Sequence, residues 1–253
     1  MTLGDSTSVP HTDSAVGAFG SVSVAMVTPF TAEGKLDVAA GVALAERLVA
    51  PGAPARIVVG ITGAPGSGKS TLAEQLETAL REAGLLAGSV PMDGFHMSNA
   101  VLDELGRHDR KGAPDTFDVH GYLAVLDRVR ATDPDGDPAE VLAPVYRRDL
   151  HEPVAAGTRV SGRGVVLTEG NYLALETHGW EGARERIDLL VMLKVPEEVL
   201  IRRLIARHKS FGRSTADAAH WVRAVDVPNA RLVAATAERC DEVWEPAQEP
   251  AQD

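Results

Sequence analysis

The sequence has a single cysteine, few aromatic residues and too few basic residues to balance its acids. Cys240 stands alone among 253 residues, which excludes an intrachain disulfide framework and a cysteine-based zinc site. Aromatic residues make up 4% of the chain, too few for the stacking platform of a single-strand binder. Lysine and arginine number 25 against 36 acidic residues, giving a formal net charge of −11. This balance argues against a nucleic-acid partner and favours a small anionic ligand in a local basic pocket.

Long hydrophobic runs are also missing. No apolar run approaches the ~20 residues that span a bilayer, so we expect no membrane association. Residues 1–20 lack the basic-then-apolar order of a signal peptide. Together with the single cysteine, this favours a cytoplasmic location. The hydrophobic content of 44% and the length suit one α/β domain with an appendage, and a homodimer is left open.

The most specific signal is the segment GAPGSGKST at residues 63–71, which fits the pattern G-x-x-x-x-G-K-S. A β-branched run precedes it, and apolar residues at helical spacing follow it. Between a strand and a helix, such a loop points backbone N–H groups and the helix N-terminus at phosphate. We expect Lys69 to reach the β- and γ-phosphates and the Ser70 hydroxyl to bind Mg²⁺. The residues predicted to bind ATP are Gly63, Ala64, Pro65, Gly66, Ser67, Gly68, Lys69, Ser70 and Thr71.

From residue 54 onward, strand-like and helix-like stretches alternate, which is typical of a parallel sheet with helices on both faces. The predicted strands cover residues 56–62, 86–92, 164–168, 188–195 and 241–244. The predicted helices cover residues 69–83, 118–131, 197–208 and 215–239. The last helix should break near Pro228, because proline removes a helix hydrogen bond. The expected fold is α/β, a P-loop NTPase with three α/β/α layers, a five-stranded and mostly parallel sheet, and a helical lid.

The N-terminal residues do not follow this alternation. Residues 1–19 are rich in Ser, Thr, Gly and Asp and are expected to form a disordered tail, as are residues 247–253. Residues 21–30 predict a strand and a turn, and residues 36–49 predict an amphipathic helix. Residues 20–50 resemble the opening strand and helix of dihydrodipicolinate synthase, a barrel lyase. One such unit cannot close a barrel of eight. We therefore interpret residues 20–50 as an extension beside a P-loop domain at residues 54–246. A fusion remnant is one explanation for this extension.

Two acidic residues follow predicted strands at the edge where parallel sheets bind ligands. Asp93 comes after the second strand, and phosphoryl transfer to an alcohol needs a group that orients the hydroxyl and accepts its proton. Capping of the Asp-Gly turn is the alternative role. Glu169 follows the central strand on the same edge as Ser70. Because Mg²⁺ binds few protein oxygens and keeps several waters, Glu169 is expected to hold the ion directly or through water.

Four ordered segments give a resemblance to a known family. They are DGFH at residues 93–96, RKGAPDTFD at 110–118, APVYRRDLH at 143–151 and TEGNYL at 168–173. Residues 57–243 resemble the P-loop small-molecule kinases that include uridine kinase, phosphoribulokinase and bacterial pantothenate kinase, and also bacterial "nucleoside/nucleotide kinase family" proteins. The resemblance implies an ATP-dependent phosphotransferase with an alcohol group on a small molecule as acceptor.

The resemblance also implies the residues of the acceptor site and the lid. The acceptor residues are Asp93, Phe95, His96, Lys111, Tyr146, His151 and Asn229. Arg203 and Arg207, four residues apart on one predicted helix, match the lid arginines that stabilise charge on the transferring phosphoryl group. A solvated basic helix face is the alternative for both.

The identity of the acceptor is the open part of this reading. The segments at residues 93–96 and 110–118 favour a nucleoside- or pantothenate-like acceptor. Arg147 and Arg148 stand where pantothenate kinase carries Ser-His, which weighs against pantothenate. A sugar kinase of the same fold and a non-catalytic nucleotide-binding switch stay open as alternatives. A lyase of the barrel class is a remote one.

Overall fold

The computed structural model describes residues 38–245, and a parallel sheet lies at its centre. Its strands are β1 (Arg56–Gly63), β2 (Leu86–Ser89), β5 (Gly164–Gly170), β6 (Leu189–Leu193) and β7 (Glu242–Trp244). They are ordered β2-β5-β1-β6-β7, and every pairing between neighbours is parallel. All five predicted strands are therefore confirmed. Helices cover both faces of the sheet, so the described part of the chain has the expected three-layer α/β/α architecture.

Eight α-helices are found in the described part of the chain. They are α1 (Val38–Leu48), α2 (Lys69–Glu82), α3 (Asn99–Glu104), α4 (Val119–Arg130), α5 (Glu181–Arg184), α6 (Glu197–Ser210), α7 (Thr215–Trp221) and α8 (Val227–Ala234). Helix α2 buries Leu72, Leu76 and Leu80 against one face of the sheet. Helix α4 packs in the larger core cluster on the other face, where Tyr122 and Leu126 are fully buried. No helix among residues 38–245 is long and apolar enough to cross a membrane.

A two-stranded antiparallel hairpin, β3 (Val141–Arg147) with β4 (Glu152–Val160), has no counterpart in the sequence prediction. Most of β4 is exposed, and it contains Pro153 and Gly157, so the segment lacks the apolar alternation that indicates a strand. The hairpin packs against the 3₁₀ turn Met92–Phe95. A Cβ at Gly94 would lie 2.6 Å from the carbonyl carbon of Pro144. The Asp-Gly pair thus allows a close backbone contact beside Asp93.

The predicted break in the last long helix is confirmed. Helix α7 passes into a π-helical segment, Val222–Asp226, before α8 begins at Val227. The Val227 N–H donates to the Val222 carbonyl oxygen, five residues back. Pro228 follows in the first turn of α8, where its missing N–H costs least. Such π segments re-aim side chains and often lie at functional sites.

The N-terminal helix α1 packs on the domain core. Ala45 is buried in the cluster that contains the α2 leucines. Gly41 contacts Leu76 so closely that a Cβ there would lie 2.6 Å from the leucine Cδ2. The predicted helix over residues 36–49 is thus confirmed in its described part. The predicted strand at residues 21–30 and the tails at 1–19 and 247–253 lie outside the described residues.

Candidate active site

The glycine-rich loop connects β1 to α2 at the carboxyl edge of the sheet. Gly66 and Gly68 have φ angles of 80° and 97°, a backbone region in which a side chain is strained. A Cβ at Gly66 would also lie 3.0 Å from Leu204 of α6, so the loop sits directly against that helix. Lys69 and Ser70 open α2. The loop therefore places both residues predicted to act on phosphate and Mg²⁺ at one edge of the sheet.

A cavity of about 880 Å³ opens beside this loop. It contains most of the side chains that the sequence predicts for ATP and the acceptor. The predicted residues that line it are Pro65, Lys69, Ser70, Asp93, His96, Lys111, Tyr146, His151, Arg207 and Asn229. A neighbouring pocket of about 240 Å³ adds Glu169 and shares Ser70, Asp93 and Tyr146 with the large cavity. The phosphate, metal and acceptor residues thus lie in one continuous cleft.

Two of the predicted acceptor and lid residues, Phe95 and Arg203, do not line this cleft. Phe95 is buried in the core, with its ring edge-on to Tyr122 at 5.2 Å between centroids. The 3₁₀ turn leaves Asp93 at the cavity and sends Phe95 into the core, which corrects the expectation that Phe95 contacts an acceptor. Arg203 donates from Nη1 to the Ser67 carbonyl oxygen at 3.4 Å. It therefore contacts the loop backbone, whereas Arg207 lines the cavity.

Glu169 is the most perturbed acid of the site. Burial raises its pKa to about 7, Lys69 opposes this shift, and Asp93 adds to it. The Ser70 hydroxyl donates a hydrogen bond to the carboxylate. The Glu169 Oε2 atom is buried without a hydrogen-bond partner. Such an orphaned oxygen is costly unless a proton or a cation occupies it.

These oxygens fit a magnesium ion. The Glu169 carboxylate and the Ser70 hydroxyl are hard oxygen ligands, and Asp93 is close enough to affect the Glu169 pKa. In the described part of the chain no group of three or more His, Cys, Asp or Glu side chains could hold a metal. Magnesium does not need such a group, because it keeps several waters and uses nucleotide phosphates as ligands.

An aromatic wall formed by His96, Phe117 and Tyr146 lies beside Asp93. The His96 ring packs on Phe117 and Tyr146, with centroids 4.1 and 4.8 Å away. His96 Nδ1 lies 2.8 Å from the Asp93 carbonyl oxygen, and burial lowers the pKa of the imidazole. A neutral ring that donates through Nδ1 leaves Nε2 as a hydrogen-bond acceptor. Burial and the nearby Asp93 raise the pKa of Tyr146, so its phenol stays protonated.

Sequence reasoning missed several residues that line the cavity. Arg148 was noticed only as a departure from pantothenate kinase, yet its charge acts on both Glu169 and Tyr146. Asn171 belongs to the TEGNYL segment, and its Oδ1 is buried without a partner. The TEGNYL segment was the sequence signal from which Asn171 could have been predicted.

The lid side of the cavity contains a hydrogen-bonded histidine–carboxylate pair that no sequence signal indicated. His208 Nε2 lies 2.8 Å from Asp226 Oδ2, which links α6 to the π-helical segment. Beside this pair, the Arg213 guanidinium lies 4.2 Å from the Trp221 ring centroid. Trp180 and Trp244 are buried in the core, as a packing role requires. Trp221 instead lines the cavity.

The relatives of this chain include proteins that are named as kinases. YggC, an uncharacterized protein of Escherichia coli (strain K12), is 33% identical over 180 residues, covering 70% of this chain and 73% of YggC. "Putative uridine kinase C227.14" of Schizosaccharomyces pombe is 33% identical over 164 residues, covering 60% and 66% of the two chains. A crystal structure of a "putative fructose transport system kinase" from Silicibacter sp. TM1040 is 35% identical, with a TM-score of 0.73, covering 82% and 98%.

A lyase relative matches a smaller part of the chain. The 4-hydroxy-tetrahydrodipicolinate synthase of Corynebacterium jeikeium is 36% identical over 104 residues, which are 39% of this chain and 33% of that enzyme. A third of such an enzyme is too short to contain the eight βα units of a barrel.

A family model covers the region that contains the sheet and the cleft. The model for the phosphoribulokinase / uridine kinase family matches residues 58–243, from β1 to β7. The five-stranded parallel sheet, the glycine-rich loop and the acidic residues at the carboxyl edge all fall within this match. The chain belongs to the phosphoribulokinase / uridine kinase family of P-loop kinases.

Proposed function

We propose that this protein is a Mg²⁺-dependent kinase that transfers the γ-phosphoryl group of ATP to a hydroxyl of a nucleoside- or pantothenate-like small molecule. The observation that carries the proposal is the shared cavity. Lys69 and Ser70 of the loop line it together with Asp93 and Tyr146. A phosphate-binding group and a proton acceptor in one cleft are the parts that phosphoryl transfer needs.

At the nucleotide end, the loop from Gly63 to Thr71 binds the polyphosphate through its backbone N–H groups, and Lys69 neutralises phosphate charge. Ser70 and Glu169 hold Mg²⁺, which supplies charge neutralisation on the phosphates when bound. Arg207, on the lid helix α6, faces the same cavity and stabilises the phosphoryl group in transit.

At the acceptor end, Asp93 orients the hydroxyl and accepts its proton. The His96 and Tyr146 rings, tilted by 47° to each other, provide an aromatic wall against which the acceptor packs. His151 and Asn229 line the same cavity and offer further hydrogen bonds. The cleft excludes water from the reacting atoms when the acceptor and the nucleotide fill it.

A sugar kinase is the second candidate. The relative of known structure at 35% identity is named a "putative fructose transport system kinase", which favours a sugar hydroxyl as acceptor. A non-catalytic nucleotide-binding switch needs no acceptor site. Asp93 and Tyr146, beside the aromatic wall, argue against that alternative.

The test is ADP release from ATP against a panel of nucleosides, pantothenate and sugars. We expect one class to be turned over, and we expect Lys69→Ala and Asp93→Asn each to abolish transfer while the fold is kept. Asp135→Asn, in an exposed turn, is the matched control and should keep full activity. Nucleotide binding without turnover across the panel would favour the switch. Full activity of Asp93→Asn would remove Asp93 from the mechanism.

A further inference from the structure

Two neighbouring cations of the loop after α3 have different surroundings. Arg110 Nη2 donates to Asp115 Oδ2 at 2.6 Å, so its charge is paired. The Lys111 Nζ atom donates instead to Asn99 Oδ1 at 2.6 Å and to the His151 carbonyl oxygen at 2.8 Å. Both of these acceptors are neutral. Among residues 38–245, no carboxylate oxygen lies within 4.0 Å of the Lys111 ammonium.

Lys111 is fixed in place without being neutralised. Glu152 is the acid that acts on it from a distance, and both Glu152 oxygens accept from the Asn99 backbone N–H, at 3.0 and 3.2 Å. Burial lowers the pKa of Lys111, whereas Glu152 opposes that shift. An ammonium has three N–H donors, and two are committed to Asn99 and His151. One donor is left for the cavity that Lys111 lines.

The position of Lys111 relative to Asp93 determines which part of a bound acceptor the remaining Lys111 N–H can contact. Asp93 and Lys111 both act on His96: Asp93 raises the pKa of the imidazole and Lys111 lowers it. The aromatic wall connects Asp93 to Lys111, because His96 bonds to the Asp93 backbone and the Lys111 Nζ lies 5.3 Å from the Tyr146 ring centroid. Lys111 therefore lies beside the aromatic wall, among the residues predicted for the acceptor.

The chemistry of this end suits an anion attached to the acceptor. A hydroxyl or carbonyl oxygen of a neutral nucleoside or sugar replaces a water at Lys111 but brings no opposite charge to the partly desolvated ammonium. A carboxylate or a phosphate would take the remaining donor in a charge-assisted hydrogen bond. Resting on the proposed kinase function, we infer that the acceptor carries a carboxylate or phosphate that binds Lys111 while its hydroxyl lies at Asp93.

Binding to the protein with a filled nucleotide site tests this inference. A saturating non-hydrolysable ATP analogue with Mg²⁺ blocks the loop, so that added anions cannot bind there. Matched acceptors are then titrated by calorimetry: panthenol against pantothenate, and ribose against ribonate and ribose 5-phosphate. We expect one anionic series to bind at least about tenfold more tightly than its neutral partner. The carboxylate and phosphate arms identify which anion the site takes.

Variants of Lys111 assign the preference to its side chain. Lys111→Gln should remove the preference for the anion, and Lys111→Arg should keep most of it. Lys209→Gln is the matched control, because Lys209 is exposed on α6 and does not line the cavity. Affinity for the ATP analogue should stay unchanged in all three variants.

The outcomes separate this inference from the proposed function. Equal binding of neutral and anionic partners, no binding of any anion, or an anion preference that survives in Lys111→Gln would overturn the inference. Release of ADP with neutral acceptors alone would overturn it while the kinase proposal stands. Anion binding that depends on Lys111, without ADP release from ATP, would support the anion site and count against the kinase proposal.

Discussion

Replacing the buried Glu169 by Gln should make the ligand-free protein more stable. Its pKa of about 7 lies above the ordinary value of 4.5, so the folded state keeps a proton that the unfolded chain has lost. Wild-type stability therefore falls as pH rises from the unfolded pKa to the folded one, and the full cost is present above it. Glu169→Gln fixes the neutral form and avoids this cost.

The size of the effect follows from the shift. A displacement from 4.5 to about 7 corresponds to about 3 kcal/mol at pH 8 and about 1 kcal/mol at pH 5. Urea unfolding of wild type and Glu169→Gln at both pH values measures the two differences. Glu74→Gln is the matched control, because Glu74 lines the same pocket but is exposed. It should change stability little at either pH.

Magnesium and nucleotide should reverse the order of stability. Ligands that bind only the folded state stabilise it according to their concentration and affinity. With Mg²⁺ and an ATP analogue present, wild type should gain more stability than Glu169→Gln, because the variant lacks the carboxylate. Equal stability of the two proteins at pH 8 without ligand, or an equal gain with ligand, would refute the reasoning on Glu169.

Three further variants test the packing of the site and the role of the lid. Gly94→Ala should lower the free energy of unfolding in urea by about 1–3 kcal/mol, because its Cβ would meet the Pro144 backbone. Gly84→Ala should lower it by about 1 kcal/mol, because the φ angle there is 70° although no atom lies within 4 Å of the added Cβ. Ala45→Asp should lower the melting temperature, because Ala45 is buried between α1 and the core; an unchanged value would mean that α1 does not pack there. Arg207→Ala should lower kcat by about a thousandfold with little change in nucleotide affinity, and a kcat near wild type would exclude Arg207 from the transfer step.

The sheet and the loop could be predicted because their signals are local. The GAPGSGKST segment, a β-branched run before it and leucines after it specify strand, turn and helix within some 25 residues. The proximity of Asp93 and Glu169 could be predicted from the sequence, because the carboxyl ends of parallel strands meet at one edge of a sheet. Pro228 predicted the interruption of the last helix, because a proline has no backbone N–H to donate within a helix.

The remaining features depend on contacts between distant residues. Hairpin β3–β4 is buried at only one end, through Val141, Ala143 and Val160, so its exposed part gives no apolar alternation. It nevertheless supplies Tyr146 and Arg148 to the cleft. The burial of the Phe95 side chain is set by a single 3₁₀ turn, Met92–Phe95. The spacing of residues in the sequence does not predict which side chains of such a turn are buried. The pairing of His208 with Asp226 depends on the register of a π-helical segment and has no local signature.

A crystal structure with Mg²⁺ and a non-hydrolysable ATP analogue tests the central claim most directly. We predict that the β- and γ-phosphates lie on the backbone N–H groups of residues 66–70, beside Lys69, with Mg²⁺ between Ser70 and Glu169 and the γ-phosphate facing Asp93. A triphosphate bound elsewhere, or one whose γ-phosphate faces away from Asp93, would contradict the proposed transfer.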